Sequence, residues 1–291
     1  MSAEAIAIDR ADARPTTAGR PGTRAVLVWE LRKLLAQKRT FLGLGAAIVV
    51  PVIFVVALLA DPGGGGPDEV AFGSFVRETG LAIPLVCLTF GSIWLMPLIT
   101  ALVAGDIVAT EDQNGTLKTI LTRSVERWHV IAGKTLAAFS YATLVLALYV
   151  GTGLLLGGLA FGFDPVTLLS GTRVSTGHGI ALIGAGTLAY LMPVIAIASI
   201  GLLLSVVTRN SAAAVVGVLM TSIVMQVLGA LSALDFLDPY LLSTQFNAWQ
   251  GLLRDPIDWD PIVRAAWVSA LYAVPSLFAA LTVFVRRDVT A

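Results

Sequence analysis

Chemistry needs titratable, nucleophilic or metal-ligating side chains within reach of one another, and this sequence supplies few. It contains two histidines, His129 and His178, and one cysteine, Cys87, so an internal disulfide is excluded. The triplet Gly133-Lys134-Thr135 resembles the end of a phosphate-binding loop, but Trp128 stands where the loop's first glycine belongs. That match is rejected as a nucleotide site. Neither a paired-carboxylate site nor a metal-ligand spacing stands out. The expectation is a chain that is not an enzyme, with no catalytic residue, no metal and no cofactor of its own.

The elements that would hold such groups explain the shortage. Of the 291 residues 56% are hydrophobic and 13% charged, where soluble domains carry about 25% charged residues. Mean hydropathy is +0.85. The apolar residues come in blocks, and about 20 of them cross the hydrocarbon core as a helix. Six stretches qualify without a single Asp, Glu, Lys or Arg: 41–60, 81–105, 135–163, 179–208, 210–234 and 265–285. His129 and His178 then fall at opposite membrane faces. Uncharged spans argue against proton- or ion-coupled transport, which needs ionisable groups at membrane depth. Zero net charge argues against bulk nucleic-acid binding.

Basic residues set the orientation. With the N-terminus in the cytoplasm, that side holds Arg10, Arg14, Arg20, Arg24, Arg32, Lys33, Lys38, Arg39, Lys118, Arg123, Arg127, Lys134, Arg209, Arg286 and Arg287. Only Arg77, Arg173, Arg254 and Arg264 fall outside. Both termini are therefore expected inside a multi-pass protein of the cell membrane. Arginine outnumbers lysine, and alanine and glycine abound, which points to a bacterial source.

Residues 1–23, rich in Ala, Arg, Thr and Pro, read as a disordered cytoplasmic tail, and 61–68, with four consecutive glycines, as a flexible outer loop. Residues 24–40 hold an amphipathic interfacial helix. Leu27, Leu31, Leu34 and Leu35 share one face and Glu30, Lys33 and Gln37 another, with Trp29 suited to the headgroup level. The longest inner loop is 106–129. Thr110 and Gln113 have capping-box spacing, Glu111 and Asp112 suit a first helical turn, and Gly115 interrupts the run. Beyond it Leu117, Ile120, Leu121 and Val125 line one side of a short helix, with Lys118 and Arg123 elsewhere on it. Such a helix either lies flat on headgroups or docks into a cytosolic partner, and amphipathicity does not separate the two. A pairing of Asp106 with Lys134 across the loop is expected.

The run from Glu111 through Gly115-Thr116-Leu117-Lys118 to Leu121-Thr122-Arg123, continuing to Gly133-Lys134, resembles the loop after the second span in type-2 ATP-binding-cassette permeases. The stretch 205–214, Ser-Val-Val-Thr-Arg-Asn-Ser-Ala-Ala-Ala, is similar to that family's short turn between spans four and five. With the interfacial helix and six spans, the likeness covers residues 25–287. The resemblance implies a coupling helix, Glu111, Asp112, Gly115, Thr116, Leu117, Lys118, Ile120, Leu121 and Arg123, seated on a cytosolic ABC ATPase subunit. It implies two ATPase copies that bind ATP and Mg, a second, identical permease chain, and an export direction. It also implies short re-entrant outer helices within 235–264, where 244–253 is helix-compatible; the same residues could instead rest at the headgroups on Trp249 and Trp259.

Thr221, Ser222 and Gln226 lie on the fifth span, two of them four residues apart. They suit a substrate path or dimer interface, or simply interhelical hydrogen bonds. Gly153 and Gly157 form a close-packing pair, and Pro51, Pro84, Pro97 and Pro193 free carbonyls within spans. The expected fold is an all-α integral membrane protein with a six-span domain over 41–287. Its expected role is the membrane subunit of an ATP-driven exporter of amphiphilic or hydrophobic cargo. A non-transporting scaffold or sensor that recruits a partner through the inner loop is the alternative.

Overall fold

The computed structural model describes residues 22–61, 67, 70–116 and 126–286. The expected tail, most of the glycine-rich loop and residues 117–125 lie outside the described residues. Six helices are long and apolar enough to cross a membrane: Lys38–Ala60, Ala82–Gln113, Arg127–Phe161, Thr176–Thr208, Ser211–Gly229 and Asp260–Arg286. The architecture is that of a helical, multi-pass membrane protein. Among the described residues, the one departure from all-α is an antiparallel ribbon of β1 (Val166–Thr167) and β2 (Arg173–Val174) between the third and fourth spans.

Helix α1 (Thr23–Leu35) follows an extended Gly22 and contains neither Gly nor Pro. It packs chiefly along the third span, α6 (Arg127–Phe161). Its buried stripe differs from the expected leucine face. Val26, Glu30 and Leu34 are buried, Leu27 and Leu31 flank them, and Leu35 is exposed. The reason lies on the third span. A Cβ on Gly133 would meet Val26 Cγ1 at 2.6 Å, so glycine there admits α1 at close range, and Lys134 beside it supplies a cation for Glu30.

The first span, α2 (Lys38–Ala60), turns Gly43, Ala47, Pro51 and Val55 inward at four-residue intervals. The second is broken into α3 (Ala82–Phe90), a π-helical turn Gly91–Leu95, α4 (Met96–Ala104) and α5 (Ala109–Gln113). Pro97 has no N–H to offer the Ile93 carbonyl one turn earlier, and Gln226 of the fifth span donates to that carbonyl instead, at 2.6 Å. The glycine pair on the third span packs as its spacing implies. A Cβ on Gly153 would sit 3.3 Å from Pro84 Cα, and one on Gly157 would sit 2.4 Å from the Gly80 carbonyl.

The fourth span, α7 (Thr176–Thr208), packs against the second, third, fifth and sixth. It ends at Arg209, a left-handed residue at φ 55°, and Asn210 caps the fifth span, α8 (Ser211–Gly229), by accepting from the Ala213 N–H at 3.0 Å. The fifth span stops at Gly229, five residues short of the apolar run, because the chain folds back there. A Cβ on Gly229 would meet Asp238 and Leu241 at 3.3 and 3.4 Å.

The segment after it forms a 3₁₀ helix (Ser232–Tyr240), α9 (Leu242–Gln245) and a second 3₁₀ helix (Ala248–Leu253) before the sixth span, α10 (Asp260–Arg286). The helix-compatible stretch 244–253 is thus divided near Asn247 between two of these short helices. Trp249 does not rest at a headgroup surface. It is fully buried, ring centroid 6.3 Å from Phe72, with its Cβ 3.5 Å from where a Gly186 Cβ would stand; Trp259 alone is exposed. The segment folds into the bundle because Leu242, Phe246, Trp249 and Leu253 fill the space beside the fourth and sixth spans.

Candidate functional site

The densest polar constellation lies where α1, the end of the second span and the start of the third meet, here termed the α1 face. The turn after Ala104 leads into α5, whose first N–H groups at Val108 and Ala109 donate to Ser205 Oγ of the fourth span at 3.2 and 2.9 Å. A side chain from another span therefore caps α5, and the expected capping box does not form. Thr110 falls inside the helix and donates to Asp106, while Gln113 Oε1 accepts from the Ser211 N–H at 3.5 Å. Asp106 also pairs with Arg39 at the start of the first span and accepts from the Ser211 hydroxyl. Asp112 lies 3.9 Å from Arg209. Gly115, at φ +69°, ends α5 in the left-handed region as a helix-stopping glycine does.

Lys134 is at the centre. Its Nζ donates to Glu30 Oε1 at 2.6 Å and to the Ile107 carbonyl at 3.1 Å, and stands 2.7 Å from Glu111 Oε2. The other Glu111 oxygen accepts from Lys33 of α1, whose ammonium lies 5.5 Å from the Trp29 ring centroid. Lys134, Glu30, Glu111 and Asp106 are at most 3% exposed. The expected Asp106–Lys134 pair is not made. Lys134 reaches the backbone one residue past Asp106, and α1 supplies the carboxylate instead.

Burial raises the Glu30 carboxyl above its ordinary value, Glu111 adds to that rise, and Lys134 and Lys33 oppose it. The second Glu30 oxygen is buried with no hydrogen-bond partner among the described residues. A raised carboxyl binds its proton more tightly in the docked state, so its contribution is full below the ordinary glutamate range and is lost as pH rises through the raised value. Melting followed by tryptophan fluorescence is expected to show a wild-type advantage on the acidic side that Glu30→Gln flattens. Parallel pH profiles for the two proteins would contradict this.

The predicted site residues thus separate. Glu111 faces inward, Asp112 is half-buried, and Gly115 and Thr116 are exposed at the loop tip. Leu117, Lys118, Ile120, Leu121 and Arg123 lie outside the described residues. Glu30, Lys33, Arg39, Ser205 and Ser211 join the constellation without having been read as site residues. Glu30 left a signal as the one acidic residue in an otherwise basic helix, and Ser205 and Ser211 lay in the family-like stretch 205–214.

On the fifth span, Thr221 and Ser222 donate to carbonyls of their own helix, Gly217 at 2.8 Å and Val218 at 3.1 Å. Ser222 and Gln226, but not Thr221, line a small cleft with Ser92, Met225, Leu242 and Phe246. Among the described residues no group of three or more His, Cys, Asp or Glu could hold a metal ion.

One family profile, described as "Protein of unknown function (DUF2705)", matches residues 48–290. The chain belongs to that family. No curated protein matches the sequence. The DUF2705 match takes in Asp106, Glu111, Lys134 and Ser205, whereas α1, with Glu30 and Lys33, precedes it.

Proposed function

We propose that this DUF2705 chain is the membrane subunit of an ATP-driven exporter of the type-2 ATP-binding-cassette class. The observation that carries the reading is the loop at the α1 face. Residues 106–113 are fixed to α1 and to four spans by Lys134, Arg39, Ser205 and Ser211, while the tip at 113–116 is exposed. A rigid base that leads into exposed residues at 114–116 suits a lever pressed by another protein. The excess of basic residues on this face supports a cytoplasmic orientation for it. A separate ATPase subunit, in two copies, binds ATP and Mg there, and a second copy of this chain completes the path. The apolar stretches 41–60, 81–105, 135–163, 179–208, 210–234 and 265–285 hold no Asp, Glu, Lys or Arg for ion coupling, which supports an energy source in that partner. Their apolar walls favour an amphiphilic or hydrophobic cargo.

A photoreactive amino acid placed at Asn114 tests this in native membranes. The reading expects a stoichiometric crosslink to a soluble chain that bears a phosphate-binding loop, and vanadate-sensitive ATP hydrolysis by the purified pair. If crosslinks go only to proteins without such a loop, the exporter assignment fails and the chain is a scaffold that recruits a different partner.

A further inference from the structure

Glu111 is the residue that a docking surface would be expected to present, yet it is 3% exposed and both its oxygens point into the protein. It is the loop's link to two other elements at once, Lys33 on α1 and Lys134 on the third span. Lys134 in turn holds Glu30 of α1, and Gly133 leaves room for α1 at contact distance, 2.6 Å from a would-be Cβ to Val26 and 3.1 Å to the Leu27 nitrogen. The other buried α1 side chains, Val26 and Leu34, are apolar. Among the described residues, α1 and the loop are tied by Glu111 directly to Lys33, and by Lys134, which holds Glu30 of α1 together with Glu111 and the Ile107 carbonyl of the loop.

We propose that Glu111 is a positioning residue that makes α1 and the 106–116 loop a single mechanical unit, so that displacement of either one moves the other. The physical reason is desolvation. Separating the loop from α1 would take Lys33, one of its two cations, from a buried carboxylate, which costs more than carrying α1 along. The proposal rests on the exporter reading only for what moves the loop. The tie itself is independent of any partner.

The test is a double-mutant cycle read as distance. In the full chain with Cys87→Ser, nitroxides at Asn114→Cys on the loop tip and Leu144→Cys on the outer side of the third span report the loop by pulsed electron resonance in lipid nanodiscs. A second pair, Leu35→Cys with Leu144→Cys, reports α1. Gly133→Ala pushes a methyl group into Val26 and displaces α1. With Glu111 present, the loop distance is expected to shift together with the α1 distance. With Glu111→Gln, which keeps side-chain size and leaves Lys134 bonded to Glu30 and the Ile107 carbonyl, the α1 shift remains and the loop shift shrinks. A loop shift of equal size in both backgrounds, or in neither, overturns the proposal. A Glu111→Gln chain in which the α1 distance itself broadens overturns it too, since Glu111 would then only support the fold. No ATPase is present in these samples, so failure of the exporter reading is told apart by the Asn114 crosslink.

Discussion

Lys134→Met is expected to destabilise the fold by about 3–5 kcal/mol, the usual cost of removing one partner from a buried ion pair. The substitution removes the cation paired with Glu30 and leaves Glu111 with Lys33 alone. For a chain of this size that corresponds to a drop in melting temperature on the order of 10 °C. The protein carries its own reporter. Cys87 is its single cysteine and is 3% exposed, so a thiol-reactive dye should read unfolding directly. The double variant Glu30→Leu/Lys134→Met is expected to recover much of the loss, because apolar groups of similar size often replace a buried pair at little cost. A single variant that melts with the parent would mean that Lys134 is not the electrostatic centre of the α1 face.

Gly157→Val is the second large effect. A Cβ at Gly157 would lie 2.4 Å from the Gly80 carbonyl oxygen and 2.8 Å from an Ile83 side-chain carbon, and the reciprocal Cβ at Gly80 would lie 2.1 Å from Gly157 backbone atoms. Gly80 is itself tied to the far end of the third span by its N–H donating to the Gly162 carbonyl at 2.9 Å, so the two backbones cannot part cheaply. Overpacking costs of about 1–3 kcal/mol are ordinary, and more where backbone must move. Loss of monodisperse protein on gel filtration, or a melting temperature lowered by several degrees, is expected. Gly151→Ala on the same helix is the control, for nothing stands within 4 Å of its would-be Cβ. There the exchange should be neutral or stabilising by about 0.5–1 kcal/mol. If both variants behave alike, the close approach at Gly157 is not what holds the second and third spans together.

The spans were legible in the sequence because their signal is compositional. Runs such as 41–60 and 179–208 need only length and the absence of charge, and the helices found match them to within a few residues at most ends. The Gly153/Gly157 contact was legible for a similar reason, since a spacing of four puts two small residues on one face. The α1 face was not. Amphipathic periodicity assigned Glu30 to a solvated side, because a pattern within one helix cannot say that a lysine 104 positions later awaits it. Likewise Thr110 and Gln113 had capping-box spacing, but the cap came from Ser205, 96 residues from the N–H it receives. Local rules failed wherever a distant side chain offered a better partner. The place of Trp249 was left open between a re-entrant return and a headgroup position, and the buried segment 242–253 decides for the return.

The bond between Gln226 and the Ile93 carbonyl carries a consequence for any motion of the bundle. Pro97 leaves that carbonyl without its helical partner, and the amide that satisfies it belongs to another span. Turning the second span about its own axis, with the fifth held still, would strand two polar groups in surroundings that offer almost no replacement. The two helices are thereby meshed like gears at one tooth. They rotate together, or the tooth disengages only where the hydroxyls of Ser92 and Ser243 on the adjoining cleft wall can take up the freed amide.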